Sequence, residues 1–352
     1  MPDLPGLRIE RVDPLDLDQA TADALADLLT ACDATSGLPF PAKVGAAVLA
    51  YRQLQFDGTP LDGLWLAYDG DRLVGHLDLD LPRRENTDTA GLKGHVHPGV
   101  RRRGIGRALL DIGIRAATDA GRSRAYAGAF ARSDGIPALD AWGFEATPGR
   151  YAVRRVDLRT APSGRWQKLS DEAAGHAADY ELIRLAGPTP EDLLEPMATL
   201  HEAINDAPAN DEDEEPTLFD AARVGGYDRA MAGRRQTVFR VIARHRWSGA
   251  WAGLSMLCVD ELSPELAIQE DTSVVRAHRG HRLGLLMKAD MLLWIDRQRP
   301  DVEATDTWNA TTNHYMIAVN ERLGATVVAE HVGYRRSVTP RRPTGPVSSA
   351  GA

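Results

Sequence analysis

At 352 residues, against roughly 100 to 200 per domain, the chain has room for two cores, and its composition (43% hydrophobic, 26% charged, 7 Trp) is that of a folded globular protein. A formal net charge of -9 argues against a general nucleic-acid binder, which must neutralise phosphates, and suits a cationic partner better. Cys32 and Cys258 form no CxxC pair and no cysteine-histidine cluster, so a disulfide framework and a metal site are disfavoured; Met1 to Arg11 lacks the pattern of a signal peptide and no apolar run is long enough for a membrane span, so a cytoplasmic protein is expected.

In chain order, Leu7 to Val12 reads as a strand, and Leu17 to Ala31 as a helix begun by Asp16 and Asp18. A second helix fits Ala42 to Leu54. Strand patterns follow at Leu64 to Tyr68, at Arg72 to Leu81 after the Asp69-Gly70-Asp71 turn, and at Ala90 to Val96, suggesting an antiparallel meander. Beyond a basic, glycine-rich turn at Arg101 to Gly106, the residues Ala108, Leu109, Ile112 and Ala116 recur at helical spacing, with Gly121 as a C-terminal stop. Ala125 to Phe130 then reads as a buried strand.

The second half repeats the order. Tyr180 to Leu185 is strand-like, Glu191 to Ile204 is a helix that Pro190 can start, and Val238 to Ala243, Ala250 to Val259 and Ala267 to Val275 read as strands. A basic turn at Arg279 to Gly284 precedes a helix through Met287 to Ile295, a strand near Val302 to Thr307, and a helix from Asn313 to Leu323 closed by Gly324. This is a domain duplication rather than a short repeat. The expected division is residues 1–158, a linker over 159–176 containing Pro162, Ser163 and Gly164, residues 177–339, and a Pro/Ser/Gly-rich disordered tail over 340–352. The acidic run Asp211 to Glu215 reads as a mobile loop, with the further possibility of attracting a polycationic amine.

The informative segment is Val96-His97-Pro98-Gly99-Val100-Arg101-Arg102-Arg103-Gly104-Ile105-Gly106-Arg107, which joins a strand to a helix. Glycines there let the backbone turn tightly and approach a ligand. Free N–H groups at the start of the next helix, with its dipole and the arginines, attract phosphate oxygens. A diphosphate-containing cofactor is the economical ligand.

On these residues the segment resembles the acyl-coenzyme-A loop of the GNAT acetyltransferases, R/Q-x-x-G-x-G/A, matched by Arg101, Gly104 and Gly106 after Val96 and Pro98. The second copy, Val274 to Gly284, keeps Arg279 and Gly284 around Gly280, His281 and Leu283 but has Arg282 in place of the middle glycine. The resemblance, closest to the actinobacterial two-domain acetyltransferases with mycothiol-synthase-like organisation, implies two tandem α/β domains. Each would have a mixed, mostly antiparallel sheet whose central strands splay around acetyl-CoA. It implies transfer of the acetyl group to a primary amine of a small, cationic acceptor by direct attack, with no nucleic acid or membrane as partner.

The family often has an asparagine eleven residues before the glycine of a closing Gly-Phe, contacting the pantetheine arm; Asn313 matches it, whereas the first half has Arg132 there and keeps Gly143-Phe144. The family's leaving-group tyrosine is missing, with Asn320 and Leu139 at its two places, and Tyr315 reads either as a packing residue or as an acid. The family's base lies on the strand before the loop. Glu270 and Asp271 are there in the second half, and Leu92 and Lys93, with His95 and His97 nearer the loop, in the first. Adjacent strand residues face opposite ways, so only one of Glu270 and Asp271 is expected in a cleft. Catalysis is therefore expected in the second half. The alternatives are catalysis in the first half, whose loop is more complete, or a non-catalytic acyl-CoA sensor or scaffold, prompted by the missing tyrosines.

Overall fold

The computed structural model describes residues 6–206 and 215–338, so the expected tail over 340–352 and most of the acidic run, residues 211–214, lie outside the described residues. The first half runs β1 (Leu7–Val12), α1 (Gln19–Thr35), α2 (Gly45–Gln53), β2 (Gly63–Asp69), β3 (Arg72–Asp80), β4 (Thr89–Val96), α3 (Ile105–Asp119), β5 (Arg124–Phe130), α4 (Gly135–Ala141) and β6 (Glu145–Asp157). After α5 (Arg165–Ala174) the order repeats: β7 (Tyr180–Ala186), α6 (Leu194–Glu202), α7 (Ala221–Gly233), β8 (Gln236–His245), β9 (Trp251–Asp260), β10 (Leu266–Val274), α8 (Leu283–Gln298), β11 (Ala304–Ala310), α9 (His314–Leu323) and β12 (Thr326–Ser337).

Local chemistry sets several boundaries. The Asp18 side chain accepts the Thr21 N–H at 2.8 Å and caps α1. At the far end of α3, Gly121 takes the left-handed φ of +78° that stops a helix. Asn313 caps α9 and Gly324, at φ +101°, ends it.

All twelve strands form one sheet in the order β1-β2-β3-β4-β5-β12-β6-β11-β10-β9-β8-β7. The order exposes an exchange. β12, from the second half, pairs along the whole length of β5, and β6, from the first half, pairs along the whole length of β11, with β6 and β12 adjacent at the centre. The two parallel contacts are short: β4 meets β5 only over Thr89–Gly91, and β10 meets β11 only over Leu266–Gln269. Beyond those residues each pair of strands diverges into a cleft.

Two large cores flank the sheet. One gathers β2 to β5 with α3 and borrows Val332, Tyr334 and Val338 from the far end of the chain; the other gathers β8 to β10 with α5, α8 and α9. Because each half borrows an interior strand, residues 1–158 produced alone should remain largely unfolded. Adding residues 159–352 should restore the circular-dichroism spectrum of the intact chain; a stable, cooperatively unfolding 1–158 fragment would contradict this.

Candidate active site

The two basic turns share one backbone design. Arg101 Nε donates to the Val96 carbonyl at 3.0 Å, and Arg279 Nε donates to the Val274 carbonyl at the same distance. Each arginine also pairs with an aspartate, Asp134 at 2.9 Å and Asp206 at 2.6 Å. These two side chains clamp their turns to the preceding strand instead of standing free as counter-charges for a phosphate. Arg103 is also engaged elsewhere, 3.2 Å from Asp69.

What remains for an anion in the first turn is the backbone and two further arginines. Gly104 opens α3 at φ +85° with no side chain capping the first-turn N–H groups, which leaves them available as donors. Gly106 is packed so closely that a Cβ would lie 3.1 Å from the Trp142 ring. Arg102 and Arg107 border the same space. In the second turn Arg282 holds the corresponding left-handed position at φ +57°, a conformation that costs a non-glycine residue on the order of 1 kcal/mol.

The first turn opens on a cavity of about 1670 Å³ that runs between α3 and α4, through the β4/β5 cleft, and on to α7 and β10 of the second half. Val96, Arg101, Arg102, Gly104, Ile105, Gly106 and Arg107 line it, as do Glu270 and Asp271, whereas Val274, Arg279 to Gly284 and Asn313 do not. In the second half the equivalent cleft is filled by α5. Trp166 and Ala173 pack into the core of α8 and α9, the Trp166 indole donates to the Leu323 carbonyl at 3.1 Å, and Glu172 pairs with Arg282 and, at 2.6 Å, with Arg322. A carboxylate from the segment expected as a linker thus neutralises the second turn. Asn313 spends its side-chain oxygen on the Met316 N–H, 3.1 Å away, and Tyr315 is exposed outside the cavity.

On the β4 side of the cavity lies a relay built by strand register. His76 of β3 stands directly opposite His95 of β4, and Asp78 opposite Lys93. Asp78 Oδ1 is 3.1 Å from His76 Nδ1, and His76 Nε2 is 3.1 Å from His95 Nδ1. Arg52 of α2 pairs with the other Asp78 oxygen at 3.0 Å. Burial opposes the charge on Asp78, but His76, Arg52 and Lys93 outweigh it and hold the carboxyl well below the usual range. Burial lowers both histidines, His95 strongly, so both are neutral at pH 7. The protons follow from valence. An ionised carboxylate only accepts, so His76 donates from Nδ1 and accepts at Nε2; His95 then donates from Nδ1, leaving its Nε2 as a bare acceptor.

At the other end, β10 carries a bulge, because Gln269 faces Leu257 and Thr272 faces Ser255, so that Glu270 and Asp271 together oppose Met256 alone. The alternation expected of adjacent residues is broken there. Both Glu270 and Asp271 line the cavity, correcting the expectation that only one would.

Residues 29–142 match the model of the acetyltransferase (GNAT) family. Across the whole chain, the structure is similar to a tandem GNAT protein from the clavulanic acid biosynthesis pathway, at 26% identity and a TM-score of 0.76, covering 96% of this chain and all of that one. The chain thus carries a GNAT-family domain in its first half and has, over its whole length, the architecture of a tandem GNAT protein. A GCN5-related N-acetyltransferase from Sphaerobacter thermophilus shares the fold at 17% identity, with a TM-score of 0.66 and 96% and 97% of the two chains covered. No curated protein matches.

Acetyl-CoA is the acyl donor of this family, and the first half of the tandem GNAT fits it: uncapped N–H groups at Gly104–Gly106, the bordering Arg102 and Arg107, the latter also held by Asp111 at 2.9 Å, and an open cleft coincide. The second half fits poorly, since α5 fills the cleft. Among the described residues no helix is long and apolar enough to cross a membrane.

The half-buried carboxylates give the tandem GNAT a testable pH dependence. Burial, then the neighbouring Asp271, raises Glu270 from 4.5 to about 7, against the pull of Arg234. The folded state therefore holds a proton that the unfolded state releases, and stability falls as pH rises from 4.5 to 7. At about 1.4 kcal/mol per unit the loss is no more than about 3.5 kcal/mol, less where cavity water screens the charge. Urea denaturation at pH 5 and pH 8 should show this loss in the parent and a smaller one in Glu270→Gln; equal losses would contradict it.

Proposed function

We propose that the tandem GNAT acetylates a primary amine by direct attack, with the cofactor in the first half and His95 Nε2 accepting the amine proton. The observation that carries this reading is the Asp78–His76–His95 relay ending in the cavity entered by the Gly104–Gly106 turn. Residues 1–158 then supply the cofactor site, and residues 177–339 close the acceptor end and contribute the exchanged strand.

Acetyl-CoA bound there supplies a thioester carbonyl as the electrophile. Beyond Gly91 the splay releases the β5-facing N–H groups of β4 from strand pairing, so they can donate to a carbonyl oxygen and stabilise charge developing on it. His76 and Asp78 fix the tautomer and orientation of His95, as a carboxylate does for a catalytic imidazole. Leu139, at the family's usual acid position, is buried and apolar, so the departing thiolate takes its proton from water. This reading departs from the expectation that Glu270 or Asp271 is the base, and it is supported by the meeting of the relay and the complete turn in one cavity.

The experiment is amine-dependent release of the coenzyme thiol from acetyl-CoA, followed with a thiol reagent across aliphatic amines, amino sugars and aminoglycosides. Acetylated amine identified by mass spectrometry is the expected result. Tight coenzyme A binding with no turnover of any amine would instead favour an acyl-CoA sensor.

A further inference from the structure

Resting on that reading of the site, we infer that Glu270 and Asp271 form a second-ammonium subsite, and that the preferred acceptor is a diamine or polyamine held by one nitrogen there while the other is acetylated. The two carboxylates belong to the second half, yet they line the cavity that holds the relay of the first. The β10 bulge turns both inward, an arrangement that regular pleating cannot give.

Neither side chain has an ion-pair or hydrogen-bond partner among the described residues, although both are half-buried in the cavity wall. Several other acids of this cavity are matched, Asp33 with Lys43, Asp57 with Arg83, and Glu85 with Arg223, whereas Asp80 on β3 stands apart as a single unpaired carboxylate among the described residues. Arg234, the cation that most influences Glu270, is occupied between the rings of Tyr51 and Phe56, 5.0 and 4.9 Å from their centroids. Two half-buried carboxylates without a cation are costly unless a ligand brings one.

The wall between the two ends suits an alkyl chain with cationic ends. Tyr51, Phe56 and Tyr227 line it, with Phe56 and Tyr227 stacked at 6.0 Å. Aromatic faces accept methylene groups and attract ammonium ions. At the relay end Lys93 stands opposite Asp78; its charge disfavours an ammonium there and favours the neutral amine that attacks. One end of the acceptor therefore binds charged and the other reacts uncharged.

A ladder of α,ω-diaminoalkanes is compared with alkyl monoamines of matching length, as substrates and by calorimetric titration into the coenzyme A-loaded protein. The wild type should prefer the diamine in kcat/KM at one chain length by at least tenfold, and Glu270→Gln or Asp271→Asn should reduce that ratio at least tenfold. Coenzyme A binding by each variant verifies its fold. A wild-type ratio near one, or a ratio unchanged in both variants, overturns the inference. If no amine is turned over, the proposed reaction fails, and the titration decides separately: diamine binding weakened by Glu270→Gln upholds the subsite, and no diamine binding removes it.

Discussion

Gly104→Val should reduce coenzyme A affinity at least 100-fold while leaving the tandem GNAT folded. The position sits at φ +85°, where a β-branched residue clashes with its own backbone. The strain is relieved only by moving the start of α3, and with it the N–H groups that face the anion. Arg282→Gly is the matching change in the second half. It should relieve the strain at φ +57° without creating a second site, because α5 still covers that turn. Titration calorimetry with coenzyme A should give one equivalent per chain for the parent and for Arg282→Gly, and no measurable heat of binding for Gly104→Val. Two equivalents, or binding retained by Gly104→Val, would move the cofactor out of the first half.

His95→Gln should lower kcat/KM by about 10²- to 10⁴-fold, the range that a positioned general base contributes, with coenzyme A affinity preserved. Glutamine keeps a hydrogen-bonding group beside His76 but cannot take a proton. Because burial places His95 well below 6.5, the acid limb of the kcat/KM profile attributable to the enzyme should fall below that pH; only the acceptor's own ionisation should shape the alkaline side. Asp78→Asn is a poorer probe. It would also leave Arg52, 3% exposed, without its counter-charge, a loss of about 3–5 kcal/mol in stability. An unaltered rate in His95→Gln would return Glu270 and Asp271 to consideration as the base.

Much of the scaffold could be read along the chain because local signals agreed with the fold. β1 begins and ends where alternation predicts, the Asp69-Gly70-Asp71 turn marks the β2–β3 hairpin, and Asn313 and Gly324 bracket α9. The elements overlooked carry mixed signals. Gly225-Gly226 interrupts the helical pattern of α7, Pro148-Gly149 interrupts β6, and Pro162-Ser163-Gly164 disguises the start of α5, whose Trp166, Leu169 and Ala173 are the buried face of a short amphipathic helix. β12 went unread although it is interior to the sheet.

The candidate site was legible only in part. The glycine-rich turn announces itself through composition and context, but the clamp made by Arg101 and Arg279 shows only in three dimensions. Register made the relay: no spacing rule links His76 to His95, which lie 19 residues apart on neighbouring strands. Glu270 and Asp271 were found by position, yet which cleft they enter depends on the sheet passing through both halves and on one extra residue in β10.

The exchanged strands bear on how this protein is made. β12 follows every other strand in the chain and supplies the partner along the whole of β5, so the cofactor-binding half cannot close while the ribosome is still translating the second. A nascent chain released early would display a raw, hydrogen-bond-hungry edge at β5 and no finished pocket. Formation of the pocket is thereby tied to translation through β12.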